Sequence, residues 1–168
     1  MDRKEFLIAH FGMEMLEAEG TYVKQVYAGE NAAADAPAPA VTCMYGLYSD
    51  DPPSLSLFHR LTVDEVWSWY EGDPLELFLL KPDGSSERVV LGPDTGRGEL
   101  YQFTIPAGTW QAGRLVPGGS FCLYGCTCVP GFTPECFTPG SRAQLAKAYP
   151  RDEETIICFT PDSGDIMI

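Results

Sequence analysis

The sequence predicts an all-β fold, an antiparallel barrel or sandwich with one helix before the strands and a short helix near the end. Its 168 residues include 17 glycines and 14 prolines, so turns are frequent and long helices are disfavoured. Between these turn residues, short runs alternate apolar and polar side chains, which is the period of a strand. The length suits one well-buried core, and we expect residues 1–168 to form a single domain.

The first predicted element is an amphipathic helix over residues 2–16. Its apolar residues recur at helical spacing, at Phe6, Leu7, Phe11 and Leu16. The segment does not have the composition of a signal peptide. The sequence also contains no run of the roughly 20 apolar residues that would span a membrane. We therefore expect a cytoplasmic protein.

Nine strands are predicted after this helix from alternation and turn residues. They cover residues 21–27, 41–48, 55–61, 65–71, 75–81, 86–91, 100–105, 109–115 and 121–129. Residues 31–40, rich in alanine and proline, are predicted to form a surface loop, and Pro82-Asp83-Gly84 a tight hairpin turn. Residues 141–149 predict a short helix closed by Pro150, and residues 155–160 an edge strand.

A histidine and a carboxylate lie in two consecutive predicted strands, where strand parity brings them together. Successive side chains point to opposite faces, so His59 shares a face with Leu57, and Glu65 shares a face of the next strand with Trp67. With a bend at residues 61–64, His59 and Glu65 converge on one cavity. The alternative is a half-buried hairpin in which both side chains are simply solvated.

A second segment, residues 101–111, has the pattern of an alternating strand, a Pro-x-Gly turn, an aromatic residue and then Gln111. Neutral imidazole is the commonest protein ligand for a metal, and an amide oxygen is a poor substitute for it on a transition metal. Gln111 is therefore expected to bind a ligand rather than a metal.

A series of short segments occurs in an order that few chance sequences would carry. They are Glu19-Gly20-Thr21-Tyr22, residues 56–60, residues 64–67 with Tyr70 and Gly72, residues 92–94, Gln102, residues 106–111 and residues 126–132. From about residue 6 to about residue 150, the chain resembles a cupin family, cupin type 5, also known as DUF985. The resemblance implies one cupin domain with the double-stranded β-helix, or jelly roll, and it implies no established reaction.

Two features of the chain depart from what the resemblance implies. In cupins a metal-binding histidine stands at the position of Gln111. The family usually has His-Pro-Glu-Gly-Gly near its start, whereas residues 17–21 here are Glu-Ala-Glu-Gly-Thr.

The resemblance implies a ligand site inside the barrel mouth, with a few polar groups among apolar and aromatic walls. The candidate catalytic residues are His59, Glu65, Tyr70 and Tyr101. The candidate ligand-binding residues are Tyr45, Ser56, Trp67, Gln102, Trp110, Gln111 and Phe132.

Three functions are compatible with these residues. In a metal-free isomerase or epimerase, similar to the rhamnose-pathway sugar epimerases, His59 is the general base and a nearby tyrosine the acid. In a metal-dependent enzyme, His59 and Glu65 hold a divalent metal, but the only other histidine, His10, is in the N-terminal helix. In a non-catalytic protein the cavity only binds a small molecule. We favour the first and expect no cofactor.

Three cysteines, Cys122, Cys126 and Cys128, have the same parity in one predicted strand, with Tyr124 between them. A soft metal site is one interpretation. Small core side chains are the other, and we favour it because free cysteine is among the most buried residue types. In the expected compartment the thiols stay reduced.

The charge balance limits the partners. With 24 acidic and 11 basic residues the net charge is −13, which repels nucleic acid and anionic membrane surfaces. A small-molecule ligand, carbohydrate-derived in the isomerase interpretation, is the expected partner. Open sheet edges and the cupin resemblance also predict a homodimer.

Overall fold

Two antiparallel sheets face each other across a common interior. The computed structural model describes residues 2–17, 19–30 and 38–161. Within these ranges the strands are β1 (Glu14–Leu16), β2 (Thr21–Gly29), β3 (Val41–Ser49), β4 (Leu55–Leu61), β5 (Asp64–Gly72), β6 (Leu75–Leu80), β7 (Ser86–Leu91), β8 (Gln102–Ile105), β9 (Trp110–Leu115), β10 (Phe121–Val129) and β11 (Phe137–Pro139). The helices are α1 (Arg3–Phe11), α2 (Arg142–Ala148) and α3 (Glu153–Cys158).

The strand order explains how distant segments meet. The first sheet runs β1-β2-β3-β10-β5-β8, and the second runs β11-β4-β9-β6-β7. The core lies between the sheets, where alternate residues of β6, Leu75, Leu77 and Leu79, are almost completely buried. Nine predicted strands correspond to β2 to β10, with ends that differ by up to two residues, so the predicted all-β fold is confirmed.

Helix α1 is shorter than the helix predicted over residues 2–16. Asp2 caps its start by accepting a hydrogen bond from the backbone N–H of Glu5 at 2.8 Å. Gly12 ends it with a left-handed backbone, φ 59°, that glycine adopts without strain. The residues after Gly12 then pair with β2 as the short edge strand β1. The helical prediction was therefore wrong for residues 14–16.

Residues 153–158 form helix α3, so the predicted edge strand at residues 155–160 was wrong. Ile156 and Phe159 lie three positions apart, so one side of α3 carries both, and they are buried on the outer face of the second sheet with Phe58. Ile157, between them, is exposed. A strand would have placed Ile156 and Phe159 on opposite faces.

The loop predicted at residues 31–40 lies largely outside the described residues, which resume at residue 38. Within the described ranges, no helix is long and apolar enough to cross a membrane.

Candidate functional site

A cavity of about 360 Å³ lies between the two sheets. Residues of β1, β2, β3, β4, β5, β10 and β11 line it, together with the turn before β2 and the segment between β10 and β11. Its polar lining includes His59, Glu65, Glu19 and Ser56. Its size and mixed lining are those of a small-molecule site.

A β-bulge in β4 decides which of its side chains reach the cavity. Ser56 pairs with Gly113 and His59 pairs with Gln111, so β4 has one more residue than β9 across this interval. The extra residue changes the parity, and Ser56 lines the cavity together with His59. The expectation that Leu57 shares the face of His59 was wrong for this reason.

His59 is fixed by a backbone contact within the bulge. Its Nδ1 lies 2.8 Å from the carbonyl oxygen of Leu57, and its ring stacks on Phe137 at 5.2 Å between ring centroids. A carbonyl oxygen only accepts hydrogen bonds, so Nδ1 carries the proton in this contact. In the neutral imidazole, Nε2 is then the nitrogen that can accept a proton.

Glu65 is a buried acceptor, only 7% exposed. Its Oε2 accepts hydrogen bonds from Trp67 Nε1 at 2.9 Å and Gln111 Nε2 at 2.8 Å, and its Oε1 lies 3.7 Å from the Cys128 thiol. Trp67 Nε1 also lies 3.0 Å from Gln111 Oε1. The three side chains therefore form one closed polar network that holds the carboxylate in place.

Glu19 is a site residue that the sequence reasoning did not select. Its Oε1 accepts a hydrogen bond of 2.7 Å from the backbone N–H of Leu57, and its carboxylate lines the cavity. Burial raises the pKa of Glu19, while the electrostatic attraction of His59 and the Leu57 hydrogen bond oppose that rise. The signal that pointed to it was its position in the matched segment Glu19-Gly20-Thr21-Tyr22.

The turn that presents Glu19 needs the glycine beside it. Gly20 has φ 63°, and a Cβ on it would lie 2.7 Å from the carbonyl oxygen of Pro53.

Two buried tyrosines complete this part of the site. Tyr124 lines the cavity and stacks on Trp67, with 4.7 Å between ring centroids. Tyr48 lies behind it and donates a hydrogen bond of 2.7 Å to Ser56 Oγ. Burial raises the pKa of both tyrosines well above the ordinary value, and the charge of Glu19 raises them further. Both hydroxyls therefore remain protonated at neutral pH.

The comparisons with known proteins agree with this architecture. The family model described as "Cupin superfamily (DUF985)" matches residues 5–139. The chain belongs to this family. None of the curated proteins matches the sequence.

Solved structures show the same fold. This cupin superposes on a protein from Shewanella oneidensis with a TM-score of 0.86 and 28% identity, covering 97% of this chain and 100% of that one. A hypothetical protein from Leishmania major gives 0.85 and 28%, covering 96% and 100%. Oxalate decarboxylase from Bacillus subtilis gives 0.53 and 12%, covering 89% and 41%. At 12% identity, the similarity to oxalate decarboxylase shows the fold alone. Together with the two structures above, it confirms the predicted jelly roll.

Several sequence-predicted site residues of this cupin lie away from the cavity. Tyr70 and Tyr101 are 49% and 57% exposed, and neither lines it. Tyr45 packs between Phe11 of α1 and Tyr70, with ring centroids 4.7 and 5.9 Å away. A tyrosine pattern alone does not separate inward from outward rings, which explains why these three were selected.

The remaining candidates divide between the cavity, the layer behind it and the outer surface. Phe132 lines the cavity, held by a hydrogen bond of 2.8 Å from its N–H to Thr42 Oγ1. Gln111 lies behind Glu65. The guanidinium carbon of Arg60 lies 4.7 Å from the centroid of the Trp110 ring. Gln102 is exposed and donates a hydrogen bond of 3.0 Å to Ser68 Oγ. Gln102 and Trp110 do not line the cavity.

The residues present do not fit a transition metal. Around Glu65 the carboxylate oxygens already face the donors of Trp67, Gln111 and Cys128, and His59 is the one imidazole at the cavity among the described residues. No group of three or more histidine, cysteine, aspartate or glutamate side chains in the described ranges is arranged to hold a metal ion.

The three cysteines of β10 share its inner face, as their parity predicted. Cys126 and Cys128 line the cavity, and Cys122 is deeper in the core. Burial, and then the charge of Glu65, raise the pKa of the Cys126 and Cys128 thiols. They are therefore neutral wall groups, since it is the thiolate that binds metals.

Proposed function

We propose that this cupin binds a small organic molecule in its interior cavity and isomerises it by metal-independent proton transfer, with His59 as general base. The observation that carries the proposal is the contact between His59 Nδ1 and the Leu57 carbonyl, which fixes one tautomer. Nε2 then has the lone pair that a general base needs, on a ring held in place by Phe137.

Tyr124 supplies the acidic partner. Tyr124 lines the same cavity as His59, and its raised pKa keeps its hydroxyl protonated. This hydroxyl shares a hydrogen bond with that of Tyr48, and in the proposal it exchanges that partner for the ligand. A protonated hydroxyl donates a hydrogen bond to a carbonyl oxygen and stabilises the negative charge that develops there. It takes the role that the sequence assigned to Tyr70 or Tyr101.

The reaction class follows from these two groups. His59 removes a proton from the carbon next to a carbonyl group, while Tyr124 stabilises the resulting enolate oxygen. Return of the proton to the other face inverts that carbon, and return to the neighbouring carbon moves the carbonyl group. Carbohydrate-derived aldoses and ketoses have the chemistry that such a site requires.

Binding without turnover is the second candidate. It is favoured by the predominance of apolar groups in the lining, such as Val23, Met44, Leu61 and Phe137, which bind a ligand but transfer no proton. In that case the Glu65 network orients a ligand only.

The experiment measures exchange of carbon-bound hydrogen with solvent. The protein is incubated in D₂O with glucose, fructose, rhamnose and dihydroxyacetone, and NMR follows loss of the proton next to the carbonyl group. The wild type is expected to catalyse exchange on at least one of them. His59→Asn is expected to slow it by about 100- to 10,000-fold, the usual range for losing a general base.

The other histidine provides the matched control. His10 is exposed on α1, so His10→Asn makes the same chemical change away from the cavity and is expected to leave exchange unaltered. Sugar binding with no exchange by the wild type would favour the non-catalytic function. An unfolded His59→Asn protein would show instead that His59 is a structural residue.

A further inference from the structure

Apart from His59, the ionisable carboxyl and basic side chains that line the cavity in the described ranges are all acidic. Of the residues that line it, Glu19 and Glu65 are carboxylates, and His59 is the one side chain able to carry a positive charge. No lysine or arginine of the described ranges is among them. The positions outside those ranges contain neither residue type, so they cannot bring a lysine or arginine side chain to the cavity.

Four of the basic residues are paired or stacked away from the cavity. Arg88 and Arg114 both pair with the buried Glu76 of β6 on the second sheet. Arg60 lies over Trp110, and Arg3 is paired with Glu71. A ligand that carries phosphate, sulfate or carboxylate would therefore enter a cavity without a compensating cation, and desolvating such a group without a partner is costly.

The lining also suits a positive group. Within the described part of the chain, the aromatic rings of Trp67, Tyr124, Phe132 and Phe137 line the cavity. The faces of such rings attract cations. Glu19 presents its carboxylate to the same space while one of its oxygens is fixed by the Leu57 N–H.

We infer that the cavity selects uncharged or cationic ligands, such as neutral sugars and small amines, and rejects anionic ones, with Glu19 as the residue that sets this selection. The inference rests on the proposed function in taking this cavity as the ligand site. It narrows the substrate class, because it excludes sugar phosphates and nucleotide-linked sugars.

The thiols in the cavity wall allow a test that needs no knowledge of the ligand. Cys126 and Cys128 line the cavity, whereas Cys158 is exposed on α3. The folded protein is treated with two methanethiosulfonate reagents of similar size, one carrying a trimethylammonium group and one a sulfonate. Peptide mapping by mass spectrometry then gives the initial labelling rate at each cysteine.

The quantity compared is the ratio of the cationic to the anionic labelling rate. Because the ratio is taken for the same thiol, that thiol's own reactivity cancels. Dividing by the ratio at Cys158 removes the effect of the overall charge of the protein. We expect the ratio at Cys126 and Cys128 to exceed that at Cys158 by roughly tenfold, from a carboxylate acting at short range in a partly desolvated cavity.

Two variants assign the effect to Glu19. Glu19→Gln keeps an oxygen that can accept the Leu57 hydrogen bond but removes the charge, and it is expected to lower the ratio at the cavity thiols severalfold. Glu17→Gln makes the same change in net charge at an exposed position outside the cavity and is expected to leave the ratio unchanged.

The outcomes separate this inference from the proposed function. A neutral reagent, methyl methanethiosulfonate, measures labelling without an effect of reagent charge. If it labels Cys158 but neither cavity thiol, no charge selection acts at these thiols and the inference is overturned; because the raised pKa of both thiols also slows their labelling, the proposed function is then judged by the exchange measurement alone. If it labels the cavity thiols and both charged reagents label them at equal normalised rates, only the charge selection is wrong. An unchanged ratio in Glu19→Gln would overturn the role of Glu19.

Discussion

The backbone of Leu57 holds two titratable groups of the cavity, the proposed base His59 and Glu19, to which we assign the charge selection. The N–H of Leu57 donates to Glu19, and its carbonyl oxygen accepts from His59. Within a regular strand these backbone groups would be used by the neighbouring strand, but the bulge takes Leu57 out of register with β9. The bulge therefore provides two hydrogen-bonding groups to the site as well as turning Ser56 towards it.

The raised pKa of Glu19 predicts how stability depends on pH. In the folded protein this carboxyl holds its proton to a higher pH than in the unfolded chain, because burial disfavours its charge. The stability contributed by the neutral form is fully present below the unfolded pKa and is lost as pH rises through the folded pKa. Chemical denaturation between pH 4 and pH 8 is expected to show a smaller fall in stability for Glu19→Gln than for the wild type.

Glu17→Gln is the control for that measurement as well. Its carboxyl is exposed, so its removal is expected to reproduce the wild-type pH profile. A Glu19→Gln protein with the wild-type profile would show that burial does not disfavour the charge of Glu19.

At the scale of residues, the sequence located part of the site. Strand parity was enough to bring His59 and Glu65 to one cavity, although their chemical roles stay predictions. Glu19 could not be found in the same way, because its contact with Leu57 spans 38 residues and depends on how the turn before β2 reaches the other sheet. Periodicity describes faces of one strand, not contacts between sheets.

At the scale of elements, the pairing of β3 with β10 depends on one position without a side chain. Gly46 lies opposite Tyr124 in the register of these strands, and a Cβ on Gly46 would collide with the Tyr124 ring. Gly46→Ala is therefore expected to displace Tyr124 from its stack on Trp67 and to destabilise the protein by about 1–3 kcal/mol. Urea denaturation followed by tryptophan fluorescence measures both effects.

Gly96 offers the matched control. It lies in the loop between β7 and β8, and an added Cβ there would meet only the Asp94 side chain, at 3.1 Å. Gly96→Ala is expected to change stability by less than about 0.5 kcal/mol, as is usual for surface substitutions. Equal effects of the two substitutions would contradict the packing argument.

The bounds of elements set off by turn residues were predictable, and the type of an element decided by packing was not. β4, β7 and β10 have the bounds that the sequence predicted, because turn residues mark their ends; the bulge inside β4 was not predicted. α3 contains an apolar pair, Ile156 and Ile157, that suits a strand or a helix equally by pattern. Packing against the outer face of the second sheet favours the helix, because the helical conformation buries Ile156 together with Phe159.

At the scale of the whole molecule, the first sheet has an edge that is open in the single chain. Among the described strands, β1 and β8 end this sheet, and β1 exposes Met15 and Leu16, at 39% and 46%. The adjoining β2 adds exposed Val26 and Tyr27. An exposed apolar edge strand is a template for pairing with another chain.

We therefore predict a homodimer that pairs through the β1 edge. Light scattering after gel filtration at micromolar concentration is expected to give twice the chain mass of 18.4 kDa. Met15→Lys places a charge on the edge, which opposes strand pairing, and is expected to give a monomer. Tyr101→Lys introduces the same charge next to β8 and should leave the dimer intact. A dimer that is lost in Tyr101→Lys but kept in Met15→Lys would instead assign the interface to β8. A monomeric wild type would reject the dimer, because the exposed edge of β1 would then be tolerated without a partner.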